Sequence, residues 1–258
     1  MARGDSWFSS SNMIYLLLHL VLVLVGILLA SRGGALAISA GASLIATGIT
    51  GWVLFAHMRL NESQRSLISL LTLFGFVKVF DARAVRIKSE YDARLDKARD
   101  RIDILGFGLR ALREDYREEF AKWKEKANVR ILLIDPEFPN LQSSYANQRD
   151  KEEKSSEGTI RADVEAFLVE KRRLDNMQGE HSFDVRLYTC LPLINIFRID
   201  DELFWGPYLI GKQSRNAPTF LVRRGGVLFE RFVDHFERVW NEPELSHPAT
   251  GLEQTKAG

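Results

Sequence analysis

The chain opens with two long apolar stretches and then changes to short alternating segments. Positions 13–30, "MIYLLLHLVLVLVGILLA", hold one group that titrates near neutrality, His19. Positions 35–58, "ALAISAGASLIATGITGWVLFAHM", contain no Lys, Arg, Asp or Glu. At about 1.5 Å per residue, roughly 18 residues rise about 27 Å, close to the hydrocarbon thickness of a bilayer. "SRGG" at 31–34 separates the runs. The pattern predicts two transmembrane helices joined by a very short loop, over 1–60. A cleavable signal peptide would leave the second run without a role, and a buried hairpin of a soluble protein is the remaining alternative.

Positions 61–101 read as an interfacial segment and a helical stalk. "SLISLLTLFGFVKVF" (66–80) is apolar but short for a span, so it is expected to lie in the interface or to pack on the soluble domain. "DARAVRIKSEYDARLDKARDR" (81–101) is a charged helical stretch with Glu90–Arg94 and Asp96–Arg99 at pairing distances along a helix. From 102 the periodicity alternates. "IDILGFGL" (102–109), "VRILLID" (129–135), "FDVRLYTC" (183–190), "INIFRI" with "LFWG", and "TFLVRR" (219–224) read as strands. Residues 110–127, about 159–177 and 227–240 read as helices; the last places Phe229, Phe232, Val233, Phe236 and Trp240 mostly along one face. Alternating strands and helices predict an α/β sandwich around a mixed sheet over 102–240. The tail, 241–258, is expected to be disordered.

Composition narrows the chemistry. Lys+Arg 35 against Asp+Glu 34 in 258 residues gives no global field that argues for DNA or RNA. The single cysteine, Cys190, excludes an internal disulfide framework. There is no Cys/His cluster for zinc and no phosphate loop of the GxxxxGK[ST] type, so no metal or cofactor is expected. Arg3 before the first helix, and Arg59 and Arg65 after the second, outnumber Arg32 in the loop. The positive-inside rule then places both termini and the soluble domain in the cytoplasm. Trp7, Phe8 and Trp52 fit interfacial anchors. Ser39, Ser43, Thr47 and Gly51 form a small-residue stripe that can join the two helices of one chain or helices of different chains.

The segment "IDILGFGLRAL…FAKWKEKANVRILLIDP", the stretch "PLINIFRIDDELFWGPY" (192–208) and the closing "FVDHFERVW" resemble the phospholipase D-like superfamily in a single copy. That family's signature is HxKxxxxD. Aligned on the acid, Asp200 takes the Asp position, Asn195 the Lys position and Leu193 the His position. The family's histidine attacks phosphorus and its lysine neutralises the phosphoryl oxygens. Leu193 cannot be a nucleophile and Asn195 brings no charge, so the resemblance implies a non-catalytic relative.

What it implies instead is a ligand-sensing module of a bacterial inner-membrane protein, as in antiviral or stress defence, with a homodimer or higher homo-oligomer. A phosphate-containing ligand, such as a nucleotide second messenger, is expected at Gly106, Gly108, Arg149, Asn195, Arg198, Asp200 and Tyr208. An ideal pleat points Arg198 away from Asn195, and Arg149 sits in a run of charges, so each also has a plain structural reading. Two other functions are open: a membrane-bound nuclease or phospholipase with a non-standard active site, and a scaffold that acts through partner binding on the lipid bilayer.

Overall fold

In the computed structural model, residues 10–81, 87–191 and 193–249 are described. Arg3, Trp7 and Phe8 lie outside them, as do 82–86 of the expected stalk and 250–258 of the expected tail. The chain divides into two compact units, Met1–Leu70 and Leu71–Gly258.

The first unit is a helical hairpin of α1 (Ser10–Ser31) and the greater part of α2 (Ala35–Phe74). Both helices are long and apolar enough to cross a membrane. They meet through glycines: a Cβ at Gly26 would lie 2.8 Å from the Gly41 carbonyl, and one at Gly48 would strike Val23. Gly51 gives room to the His19 ring, whose Nδ1 lies 2.9 Å from the Tyr15 carbonyl. Ser39, Ser43 and Thr47 are exposed, so of the expected stripe only Gly51 joins the helices of one chain. The outward surface is apolar, with Ile14 68%, Leu28 59% and Leu54 53% exposed.

The second unit is α/β. Eight strands form one mixed sheet in the order β1-β7-β6-β5-β2-β3-β4-β8. They are β1 (Phe76–Phe80), β2 (Arg101–Gly106), β3 (Asn128–Ile134), β4 (Phe183–Tyr188), β5 (Ile194–Ile199), β6 (Glu202–Pro207), β7 (Thr219–Arg223) and β8 (Ser246–Pro248). β2, β3 and β4 run parallel, and the other pairings are antiparallel. One face carries α3 (Lys88–Leu95), α4 (Arg110–Tyr116), α5 (Phe120–Lys126) and α7 (Thr159–Asp175); α6 (Tyr145–Glu152) packs beside α7. Tyr91 meets Phe197 and Phe204 there, and Phe120 meets Phe167 and Phe183. The opposite face is covered by α8 (Val227–Asn241), which sets Phe232 on Trp205.

Residues 66–74 continue α2, and 76–80 pair with β7 as an edge strand, the second of the two places expected for this segment. Two expectations are corrected. The stalk does not stand free: Tyr91 and Leu95 of α3 are buried in the core, and Arg94 reaches Glu202 at 2.7 Å. Within the tail, 246–248 pair with β4 as β8.

Under α8 the sheet buries an ionic chain. Asp103 stands opposite Arg130 on β3 and Arg198 on β5, and accepts from them at 2.7 and 3.2 Å. Arg130 continues to Glu237 of α8 at 2.7 Å, and Arg198 lies over the Phe229 ring. Burial pushes the Asp103 carboxyl above its ordinary range, against the pull of Arg130, and lowers Arg198. The Arg130 hydrogen bonds hold Glu237 below its ordinary range.

Removing one partner leaves buried charge uncompensated. Asp103→Ala is therefore expected to cost about 3–5 kcal/mol in urea unfolding of the full chain in detergent, followed by tryptophan fluorescence. Glu237 has a depressed folded pKa, so its contribution is present above the unfolded value and lost as pH falls through the folded one. Glu237→Gln is expected to be less stable than the parent at neutral pH, with the gap closing in acid. A gap that stays constant on acidification through the carboxylate range would rule out this role for Glu237.

Candidate functional site

A cleft of about 580 Å³ opens at the carboxyl end of β2. Its lining includes buried Ile104, Phe197 and Tyr91, the aromatic pair Phe107 and Tyr208, and the Asn195 amide. Ligands in open α/β sheets sit beyond such strand ends. Three of the seven expected site residues, Gly108, Asn195 and Tyr208, line it.

Asn195 and Gly206 stand opposite each other on β5 and β6, and the Asn195 amide donates to the Gly206 carbonyl at 2.8 Å. Tyr208 packs edge-on to Phe107 at 4.7 Å, and its backbone N–H donates to the Leu193 carbonyl. Gly106 lies just behind: a Cβ there would meet Leu109 and come within 3.5 Å of the Tyr208 hydroxyl. At Gly108 a Cβ would collide with Asp163 of α7. The two glycines thus serve close packing of the β2–α4 turn, where Leu109 takes a left-handed φ of 52°.

The remaining three expected residues are placed elsewhere. Arg198 faces the opposite side of the sheet, paired with Asp103 under α8. Asp200 sits just past the far end of β5, five positions along the chain from Asn195, or roughly 17 Å at the rise of a strand. There its carboxylate accepts from the backbone N–H groups of Arg99, Asp100 and Arg101 at 2.9–3.0 Å, tying the β5–β6 turn to the start of β2. Asn195 and Asp200 therefore cannot converge on one small ligand.

Arg149 is 2% exposed and wholly engaged. Its guanidinium donates to Glu153 at 2.9 Å, to Glu152 at 3.1 Å, and to the carbonyls of Leu209 and Lys212 at 3.1 and 2.9 Å. It also lies 5.1 Å from the Tyr208 ring centre. Arg149 thus braces the loop after Tyr208 and has no group left to reach over the sheet end.

The charges around the cleft are largely paired. Arg110 is bound to Asp163 at 2.8 Å, and Glu153 accepts both from Arg149 and from the Ser214 hydroxyl. The amino end of α7, where an anion would be favoured, receives the protein's own Asp150 carboxylate at the Ile160 N–H, 3.2 Å. Burial raises the Asp150 carboxyl despite those amide bonds. Lys88 and Arg215 bring positive charge to the lining and Glu114 and Asp115 negative charge. None of the five histidines lines the cleft.

One arrangement escaped the sequence reading. His247, on β8, places Nε2 3.0 Å from an Asp135 carboxylate oxygen, while the other oxygen accepts the Glu137 N–H. A three-residue strand holding Pro248 gives no periodic signal. Among the described residues no group of three or more His, Cys, Asp or Glu is placed to hold a metal ion.

No family model and no curated protein matches the chain. Among solved structures, it is similar to TrmBL2, described as an archaeal chromatin protein with a novel mode of DNA binding. The identity is 16%, over 77% of this chain and 68% of that one, with a TM-score of 0.39. Against the expectation of no direct evidence for DNA or RNA binding stands this neighbour's description as a DNA-binding protein, at a distance that carries no argument about what this chain binds.

Arg149→Ala is expected to lower the stability of the full chain with no ligand present, by about 3 kcal/mol, because Glu152 and Glu153 lose their partner. Arg149→Lys, lacking the fork, is expected to recover less than half. A thermal midpoint unchanged by Arg149→Ala would mean that the residue is not a brace.

Proposed function

We propose that the chain is a membrane-anchored ligand-binding protein, with α1 and α2 crossing the bilayer and the cleft beside Asn195 and Tyr208 holding a small molecule. The observation that carries this reading is the cleft itself. It stands at the strand end where the resemblance puts a phosphodiesterase centre, yet Leu193 and Asn195 take the positions of the signature's imidazole and ammonium, and the lining presents aromatic rings and an amide. Ser214 donates to Glu153, but that carboxylate is already engaged by Arg149, which opposes its use as a base.

The lining favours a ring-bearing ligand. Phe107 and Tyr208 present flat apolar surface, and Asn195 lies beside them. A phosphate on such a ligand would be directed to Arg215 and to Lys88, whose pair with Asp92 at 3.5 Å is exposed, since Arg149 and Arg198 are buried and engaged in the fold. Coupling to the membrane is supported by the chain path: α2 ends at Phe74 and β1 begins at Phe76. For the anchor, the support is the length of both helices and their exposed apolar surface, which water would not tolerate.

Full-length protein in detergent, screened against nucleosides, mononucleotides and cyclic dinucleotides, is expected to gain thermal stability with at least one nucleotide. Arg215→Ala and Tyr208→Ala are each expected to weaken that binding about tenfold, the loss of one charge-assisted or stacking contact. Turnover of bis-p-nitrophenyl phosphate that disappears in Asn195→Ala would overturn the reading in favour of a phosphodiesterase.

A further inference from the structure

Beside the Asn195 amide the sheet buries a hydroxyl that the fold does not use. Thr219 opens β7 and is 0% exposed, yet its Oγ1 has no hydrogen-bond partner among the described residues. Such a group has lost water without gaining a partner, so native structures seldom keep one without a reason.

Strand register fixes where the hydroxyl points. Asn195 stands opposite Gly206 on β6, and Trp205 stands opposite Phe220 on β7, which sets Gly206 against Thr219. Side chains abreast on neighbouring strands share a face. Thr219 therefore faces the layer that Asn195 faces, where Phe197 and Phe204 meet Tyr91. Between the two, Gly206 presents no side chain. A Cβ there would lie 3.4 Å from Asn195 Nδ2 and 3.5 Å from Thr219 Oγ1, so amide and hydroxyl converge on one point.

The same Cβ would lie 2.6 Å from the Pro218 carbonyl, which closes over the strand at this place. Pro218 ends a segment whose Gln213, Ser214 and Arg215 line the cleft. Ser214–Asn216 form a single turn with internal bonds, from the Asn216 N–H to Gln213 and from the Ala217 N–H to Ser214. A ligand group beside Asn195 thus reaches the hydroxyl by displacing this turn, while β7 stays in the sheet.

We infer that Thr219 determines the specificity of the cleft. Its hydroxyl takes the polar edge of the bound ring, so the ligand is a heterocycle bearing an oxo or amino group, not a plain aromatic ring. This rests on the ring-binding reading of the cleft. Phe107 and Tyr208 offer surface to any flat ring, whereas a buried hydroxyl rejects one that leaves it unpaired. Because a hydroxyl both donates and accepts, it serves an oxo or an amino group.

The test uses the full chain in detergent, by calorimetry and thermal melting. Mononucleotides and cyclic dinucleotides of adenine, guanine and uracil are the heterocyclic probes, and phenyl phosphate is the plain one. Thr219→Val keeps the shape of the side chain and removes the hydroxyl. Without ligand its thermal midpoint is expected to equal or exceed the parent's, since no bond within the fold is lost. For the nucleotide that the parent binds best, Thr219→Val is expected to weaken binding at least about tenfold, and Thr219→Ser less than about threefold. Phenyl phosphate is expected to bind parent and Thr219→Val alike. A midpoint lowered by Thr219→Val means that the hydroxyl already serves the fold, and overturns the inference. So does nucleotide binding that Thr219→Val leaves intact, a loss shared equally by phenyl phosphate, or a parent that binds phenyl phosphate alone; in these three cases the cleft still binds a ring. A parent that binds no probe overturns the ring-binding reading and this inference together.

Discussion

The α/β unit is organised around one buried carboxylate. Asp103 lies on the central strand β2, and a charge there is tolerated only because Arg130 and Arg198 meet it from the two neighbouring strands. A buried pair with a missing partner is costly, whereas a completed chain of charges fixes which groups stand side by side. Here that chain sets β3 and β5 in register with β2 and, through Glu237, seats α8 over them. With Phe232 on Trp205 at one place and Phe236 below Arg130 at another, α8 has little freedom to slide. The polar side of the sheet is thereby closed, and a ligand has the other side and the strand ends.

That closure explains how the expected site separates. Asn195 and Arg198 are three positions apart on one strand and face opposite layers, one to the cleft and one to the ionic chain. Asp200 secures the turn at the far end through three amides. What remains at the cleft is a set of rings and one amide, with Lys88 and Arg215 in the lining and Arg149 bracing the loop behind Tyr208.

The sequence made the strand–helix alternation from residue 102 legible, because the apolar positions of β3, β4 and α8 follow clean periods. It also showed both apolar helices. The region before 102 was misread for a physical reason: α3 buries only Tyr91 and Leu95 in its eight residues, while its charges suggested solvent. Those charges pair along the helix, as Glu90 with Arg94, but Arg94 also reaches Glu202, far along the chain. β1 comes directly after an apolar run and took on its character. For Arg149 the sequence did hold a signal, since acids at three and four residues onward can satisfy a guanidinium on the same helix. Arg198 and Asp103, 95 residues apart, gave none.

The junction of α2 with the sheet is a single residue, Gly75. Its Cα rests against the backbone of Gly226, and its carbonyl accepts the Arg223 N–H at 3.0 Å. Neither glycine has space for a side chain. A single methyl group at either position would wedge the start of β1 away from the corner where β7 turns into α8, so two hydrogen atoms set how closely these backbones lie.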